Sequence, residues 1–484
     1  MSRLNSPRYA LALLCLSAAA RSPAQDFSKA AEQILSERPF SSAAVGALFM
    51  SVQDGATGFA RQPDLPLIPA STAKLATSAA ALAYLKPDFR FETSLLIARK
   101  DQGRAELSVL VWRGMGDPSI SGRGRAHREE IFEVWASSLA ALGVKKIARL
   151  VLDTRYFEGP VTPPEWPEEE TAYWYQAETS PISFNDNCVD LEFVPAGKPG
   201  RKPRILLAPD YGYLKVENKA KTGPADGPYT MGTNYHRRPD SDTVVFSGLI
   251  PADGQTRKDY ASVHDPARFA AETLREVCKR KGIKVGRIVM WEKARLKEAD
   301  LAPVLEWRSE PLSELVKIVN KNSQNLYAEQ LLKTLGKESS GHGSFAAGLE
   351  AVRLLLTRIG LSDSQYRLVD GSGLSEQDRF TASGLVLLLR AMATTQVFPE
   401  YFDSLAVPGV DRAAKGRMNG DPLAADMRLK RGTVGRARNL AGYLKSKSGR
   451  LYAFAVLVNG ESLDRRGVDE ALDRLCLAAA HRLP

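Results

Sequence analysis

The chain has 484 residues, 44% of them apolar and 25% charged, with a formal net charge of +10 at pH 7. That length is too great for one ordinary core and predicts two or three domains, and the composition matches a soluble globular protein. The five histidines, His127, His236, His264, His342 and His481, show no pair at metal-ligand spacing, so no metal site is expected.

At the N-terminus Arg3 and Arg8 precede an apolar run over residues 10–20, and Ser22-Pro23-Ala24 offers small residues for cleavage near Gln25. This pattern predicts an export signal over residues 1–24, with an apolar run too short to span a membrane. Leu14 stands where a lipid-attachment site at Cys15 would want a small residue, so a cleaved signal is expected, leaving a periplasmic chain without a transmembrane helix. Cleavage removes Arg3, Arg8 and Arg21 and no acidic residue, which takes the charge from +10 to +7. A basic exported protein suits anionic envelope polymers, although a solvated basic surface would read the same way. Export and the lack of a basic-aromatic module argue against nucleic acid. Cys188, Cys278 and Cys476 remain, an odd number, which predicts buried thiols rather than a disulfide framework.

An apolar run over residues 44–52 reads as a strand, Asp54-Gly55 as a turn, and the stretch from Gly58 leads toward Ser71-Thr72-Ala73-Lys74. Residues three apart share a helix face, so the Ser71 hydroxyl and the Lys74 amine would meet. A serine near its free pKa is a poor nucleophile, and a desolvated lysine can act as its base. Pro69 suits a helix start, and residues 75–85 read as a buried Ala/Leu-rich helix ending by Pro87. Strands over 95–97 and 107–112, a helix over 131–142 and a strand over 147–153 give an α/β or α+β pattern. Residues 158–170, with four prolines and five glutamates, read as a surface loop, and residues 189–245 as a small β-rich module. Helical periodicity returns over 266–281, 312–335, 345–359 and 383–393. The chain closes with a hairpin over 439–459 and a helix over 464–481.

Ser323-Gln324-Asn325 is a second constellation, in which Ser323 could relay a proton toward a leaving amine and Asn325 could bond a substrate amide; alone, Ser323 reads equally as a helix N-cap. A lysine-bearing edge strand would complete such a site. Three segments compete for it: Lys221-Thr222-Gly223, Lys447-Ser448-Gly449 and Lys430-Arg431-Gly432-Thr433. The first precedes Ser323 and lies in the β-rich module, and the second sits at a hairpin bend. Lys430 has the order and context required, although Arg431 stands where threonine is expected.

These segments resemble the class C penicillin-binding proteins, the D-alanyl-D-alanine carboxypeptidase/endopeptidase family. The resemblance rests on Pro69-Ala-Ser-Thr-Ala-Lys-Leu75, Gly116-Asp-Pro-Ser119, Ser323-Gln-Asn-Leu-Tyr-Ala-Glu329, Asp370-Gly-Ser-Gly-Leu-Ser375 and Asn439-Leu-Ala-Gly442. It implies a penicillin-recognising, serine transpeptidase-like (β-lactamase-like) domain with two insertions. Residues 25–94 and 300–484 would form the catalytic domain, 95–180 and 256–299 one inserted domain, and 181–255 a small β-rich one. Ser71 matches the acylated nucleophile and Lys74 its base, Ser323 and Asn325 the second motif, and Lys430 the third. Arg431, Gly432 and Thr433 would meet substrate, with the Ser71 and Thr433 N–H groups as oxyanion hole. The Asp370 stretch reads as a structural turn beside the site. Val410-Asp-Arg-Ala-Ala414 stands where the family shows a Gly-Val-Asp-Gly-Thr-like stretch. The implied substrates are peptidoglycan peptides, with β-lactams as acylating inhibitors and no cofactor. Two rival readings stand beside this one: a catalytically impaired scaffold, motivated by Arg431 and Arg412, and a β-lactamase.

Overall fold

The computed structural model of the chain describes residues 23–239 and 241–484. Of the expected signal over residues 1–24, residues 1–22, with Cys15, lie outside the described residues, and Pro23 and Ala24 open the helix Pro23–Leu35. Among the described residues no helix is long and apolar enough to cross a membrane. Cys188, Cys278 and Cys476 are buried free thiols, as expected.

Both ends of the chain meet in one five-stranded antiparallel sheet, in the spatial order Arg428–Val434, Ala437–Lys445, Leu451–Asn459, Ala44–Ser51, Thr57–Arg61. The strand Leu451–Asn459 is apolar at nearly every position because both faces are covered. Tyr452, Phe454, Val456 and Val458 pack toward the terminal helices Pro23–Leu35 and Arg465–Arg482, while Ala453, Ala455 and Leu457 pack toward the central helices. Successive side chains point to opposite faces of a sheet, so one strand serves two cores. Burying a side chain such as Phe454 stabilises the fold by roughly 1.5–3 kcal/mol.

The central layer is built around the helix Lys74–Leu85, whose Leu75, Ala76, Ala79, Ala80, Ala81 and Leu82 are all fully buried. Small residues all round let it be surrounded by the helices Leu312–Lys321, Asn325–Ser340, Phe345–Arg358 and Ala382–Met392. It ends at Lys86, in a positive-φ conformation ahead of Pro87.

A second sheet runs Lys284–Met290, Lys146–Asp153, Leu110–Arg113, Glu92–Ala98, Leu301–Arg308 and packs against the helices Glu130–Ala141 and Pro266–Arg280. Leu301–Arg308 pairs antiparallel with Glu92–Ala98, so this sheet reaches past the expected boundaries at 94 and 300. The β-rich module follows as three small sheets, and its Phe193, Leu214, Val244 and Phe246 share one apolar cluster with the second sheet.

Candidate active site

Ser71 sits in a 3-10 turn, Ala70–Ala73, that leads into the helix Lys74–Leu85. Two asparagines on the sheet hold the chain in front of it. Asn439 Nδ2 donates to the carbonyls of Ile68 and Pro69 at 2.8 Å each, and Asn459 Oδ1 accepts from the Ile68 N–H at 2.7 Å. The Ser71 hydroxyl is partly exposed, whereas Lys74 is fully buried.

Lys74 Nζ donates to Ser71 Oγ at 3.0 Å, to Asn325 Oδ1 at 2.7 Å and to the Ser372 carbonyl at 2.7 Å. An ammonium has three donors, and each has an acceptor here. When the amine is neutral, the Asn325 and Ser372 oxygens keep its two remaining N–H groups, and the lone pair falls toward Ser71. Burial lowers the Lys74 pKa to about 8, against the carboxylates of Asp370, Glu329 and Asp378, which act to raise it.

Those carboxylates tie down the turn after Asp370. Both oxygens of Glu329 accept from the Gly371 N–H at 3.0 Å. Asp370 Oδ1 accepts from the N–H groups of Ser372 and Gly373 at 3.0 and 2.5 Å, and its Oδ2 from the Ser375 N–H at 2.8 Å and Trp166 Nε1 at 2.9 Å. The turn is thereby fixed with its Ser372 carbonyl on Lys74. Burial, with the Asp370 charge adding to it, pushes Glu329 up to about 8, and the same two causes raise Asp378 well above the carboxylate range. Gly373 has φ +75°, and a Cβ there would stand 2.0 Å from the Ala70 carbonyl, so only glycine lets this turn lie against the Ser71 turn.

The helical run expected over 312–335 is broken. Leu312–Lys321 and Asn325–Ser340 are separate helices, joined through Ser323 at φ +56°. A non-glycine residue in that conformation is uncommon and carries strain. The break presents Ser323 Oγ to Lys430 Nζ at 2.9 Å and opens the second helix on Asn325. The Asn325 side chain then spans two lobes, accepting from Lys74 and donating to the Tyr175 carbonyl at 2.8 Å.

Lys430 lies on the edge strand Arg428–Val434, 1% exposed. Burial and the neighbouring charges of Lys74 and Arg431 hold its amine well below the usual ammonium range. On this strand Leu429 exchanges its N–H and C=O with Ala406 on the outer edge, at 2.8 and 2.9 Å. The period of two therefore turns the N–H groups of Arg431 and Thr433 off the same edge. The side chains alternate the other way. Lys430 and Gly432 face the Ser71 turn, so closely that a Cβ on Gly432 would stand 2.5 Å from the Pro69 carbonyl. Arg431 and Thr433, expected to offer side chains to substrate, turn them toward the helix Arg465–Arg482. Arg431 donates to the Ala413 carbonyl at 2.8 Å and reaches Asp469 at 3.5 Å, and Thr433 Oγ1 accepts from Arg438 at 2.9 Å. Only their backbone remains on the groove side.

The structure thus brings Ser71, Lys74, Ser323, Asn325, Lys430 and Gly432 together from three separated stretches of chain. The model of the D-Ala-D-Ala carboxypeptidase 3 (S13) family matches residues 27–479. The chain belongs to that family. Among curated relatives, a D-alanyl-D-alanine carboxypeptidase of Actinomadura sp. (strain R39) is 28% identical over 467 residues, covering 94% of this chain and 85% of that one. The D-alanyl-D-alanine carboxypeptidase DacB of Haemophilus influenzae is 25% identical over 402 residues, covering 82% of this chain and 81% of that one. The crystal structure of penicillin binding protein 4 (dacB) from Haemophilus influenzae superposes with a TM-score of 0.81 at 22% identity, over 94% of this chain and 99% of that one. The same protein complexed with a β-lactam gives a TM-score of 0.75 at 22% identity and the same coverage. The fold is therefore that of the class C penicillin-binding proteins.

Within this S13 site, sequence reasoning missed the roles of Asn439, Asn459, Glu329 and Trp166. Each is a polar group in an apolar or loop context, and a buried polar group needs a hydrogen-bond partner. Asn439 and Asn459, set in or at the end of apolar strands, carried that signal. Trp166 did not, because its loop reads as surface, yet it is only 7% exposed.

Proposed function

We propose that this protein is a serine-type D-Ala-D-Ala carboxypeptidase of the cell envelope, acting on peptidoglycan peptides through an acyl-enzyme on Ser71 and acylated by β-lactams at the same residue. The observation that carries this reading is the three-way hold on Lys74 Nζ, which leaves one position, proton or lone pair, aimed at Ser71 Oγ. Ser71 Oγ attacks the peptide carbonyl as Lys74 takes its proton. Charge developing on the carbonyl oxygen faces the N–H groups of Ser71 and Thr433. The first N–H groups of a helix have no partner within it, which frees the Ser71 donor. The C–N bond then breaks and the leaving amine takes a proton from Ser323, whose hydroxyl accepts from Lys430. Lys430 replaces the Ser323 proton; water then attacks the ester carbonyl, its proton returns through Ser323 to Lys430, and Lys74 gives the proton it took back to Ser71 as the ester bond breaks.

The scaffold reading was motivated by Arg431 and Arg412. The Arg431 guanidinium lies on the Ala413 carbonyl and Asp469, which supports a groove left open by this side chain. Incubating the mature protein with purified pentapeptide should release D-alanine, and Ser71→Ala should lose about 10⁴-fold or more in kcat. Labelled penicillin should mark the wild type alone. Equal release from both proteins would sink the mechanism.

A further inference from the structure

One end of the β-rich module is strongly basic. Between Glu192 and Asp210 the chain carries Lys198, Arg201, Lys202 and Arg204 and no carboxylate. All four residues are exposed, and so is Lys221 on the strand Lys221–Gly223. None of the five pairs with a carboxylate among the described residues. Glu217, on the strand Lys215–Asn218, is taken by Lys219 at 3.0 Å and by Arg238.

The fold holds these like charges together. Thr222 pins the basic loop at three points. Its hydroxyl accepts from the Ala196 N–H at 2.9 Å, its carbonyl accepts from the Gly200 N–H at 2.8 Å, and its own N–H donates to the Arg201 carbonyl at 2.8 Å. Asn218 Nδ2 adds a fourth point, donating to the Pro203 carbonyl at 2.8 Å. Gly200 turns the loop at φ +82°, a conformation glycine adopts freely. Only Pro199, Gly200 and Pro203 stand between the first and last of the four cations, so the loop lacks the large apolar side chains that seat a protein in a lipid interface. Cations pinned side by side repel one another, and an anionic partner relieves that repulsion.

We infer that this basic surface docks on peptidoglycan itself, as a hold on the polymer separate from the Ser71 groove. A carboxypeptidase substrate ends in a free carboxylate, and so does the product left on the polymer. A wall dense in such peptides therefore presents repeated negative charge before and after cleavage. One exposed cation–carboxylate contact is weak, but several on one polymer act together, which a single soluble peptide cannot match. The hold raises the local concentration of peptides around the groove and leaves the chemistry at Ser71 unchanged. The choice of polymer rests on the reading of the protein as a carboxypeptidase.

The test compares the mature protein with a variant carrying Lys198→Gln, Arg201→Gln, Lys202→Gln and Arg204→Gln. Binding is measured in a Ser71→Ala background by co-sedimentation with purified insoluble peptidoglycan, where the four changes should weaken the Kd by at least about tenfold. Raising the salt from about 50 to about 200 mM should weaken the parent far more than the variant. With Ser71 in place, D-alanine release from soluble pentapeptide should agree within about twofold between the two proteins, since the changes are on the surface. Release from intact peptidoglycan should fall about tenfold in the variant. Equal binding of parent and variant to peptidoglycan would overturn the inference. So would tighter, charge-dependent binding of the parent to phosphatidylglycerol vesicles than to peptidoglycan, or a variant that loses pentapeptide turnover as well. Charge-dependent binding to peptidoglycan with no D-alanine released from any substrate would support the docking surface and defeat the carboxypeptidase.

Discussion

Two of the strands that carry a lysine two residues ahead of a glycine, one in each lobe, behave oppositely. Lys221-Thr222-Gly223, which spells the K-T-G motif literally, pairs parallel with Leu249–Pro251 inside the β-rich module. Its lysine is exposed, its threonine is buried to accept from the Ala196 N–H at 2.9 Å, and a Cβ on its glycine would meet nothing closer than 3.8 Å. In the second strand the threonine is replaced by Arg431, yet Lys430 is buried against Ser323 and Gly432 has no room for a Cβ. The letters of a motif carry chemistry only where the fold provides an edge, a neighbouring nucleophile and a partner hydroxyl.

Substituting the two lysines separates the strands most strongly. Lys430→Ala should cost about 10³-fold in kcat/KM for D-alanine release, because the charge on Ser323 and the groove disappears. Lys221→Ala, an exposed surface change, should stay within about 0.5 kcal/mol in stability and leave activity at wild-type levels. A loss of activity at Lys221 would break the comparison.

The glycines come next. Gly432→Ala forces the strand away from Pro69 and should cost about 10²-fold, since misplacing groups at a site by 1 Å has an effect of that order. Gly223→Ala meets only ordinary contacts and should leave D-alanine release at wild-type levels. Thermal melts of both proteins would show whether the Gly432 loss is catalytic rather than a loss of fold.

These differences show what was legible in the sequence. The Ser71/Lys74 spacing puts both groups on one face whatever the fold, and chain order selected Lys430 over the literal motif. The final hairpin and helix were readable because Leu451–Asn459 is apolar on both faces. Less was legible where local pattern and tertiary demand disagree. The periodicity over 312–335 reads as one run even though Ser323 also reads as a helix N-cap, and the left-handed residue there goes with the paired demands of Lys430 on Ser323 and Lys74 on Asn325. Thr57–Arg61 was passed over because a five-residue strand with a glycine in it leaves little pattern. The direction of Arg431 was within reach: if Lys430 faces the nucleophile, strand alternation turns its neighbour away.

The contrast between the lysines also extends to pH. In the proposed mechanism Lys74 must be neutral to accept the Ser71 proton, and burial lowers its pKa to about 8. Protonation below that value removes the base, so kcat/KM should fall about tenfold per pH unit on the acid side. The Lys221→Ala profile should superimpose on the wild type. A flat profile from pH 6 to 9 would exclude Lys74 as the base.

The smallest effect is expected where the motif departs most visibly. Arg431→Thr restores the literal K-T-G on the edge strand but changes a side chain whose partners are the Ala413 carbonyl and Asp469, on the face away from Ser71. The ion pair is long and partly exposed, so its loss should cost no more than about 1 kcal/mol of stability. The backbone N–H of Thr433 and the buried Lys430 keep their places, so kcat/KM for D-alanine release should change by no more than about threefold. A gain of tenfold or more would mean that the arginine obstructs the groove, and a hundredfold loss would mean that it reaches around the strand to hold the substrate carboxylate. Either outcome would return the difference between the two strands to their letters, whereas a small change assigns it to burial and edge position.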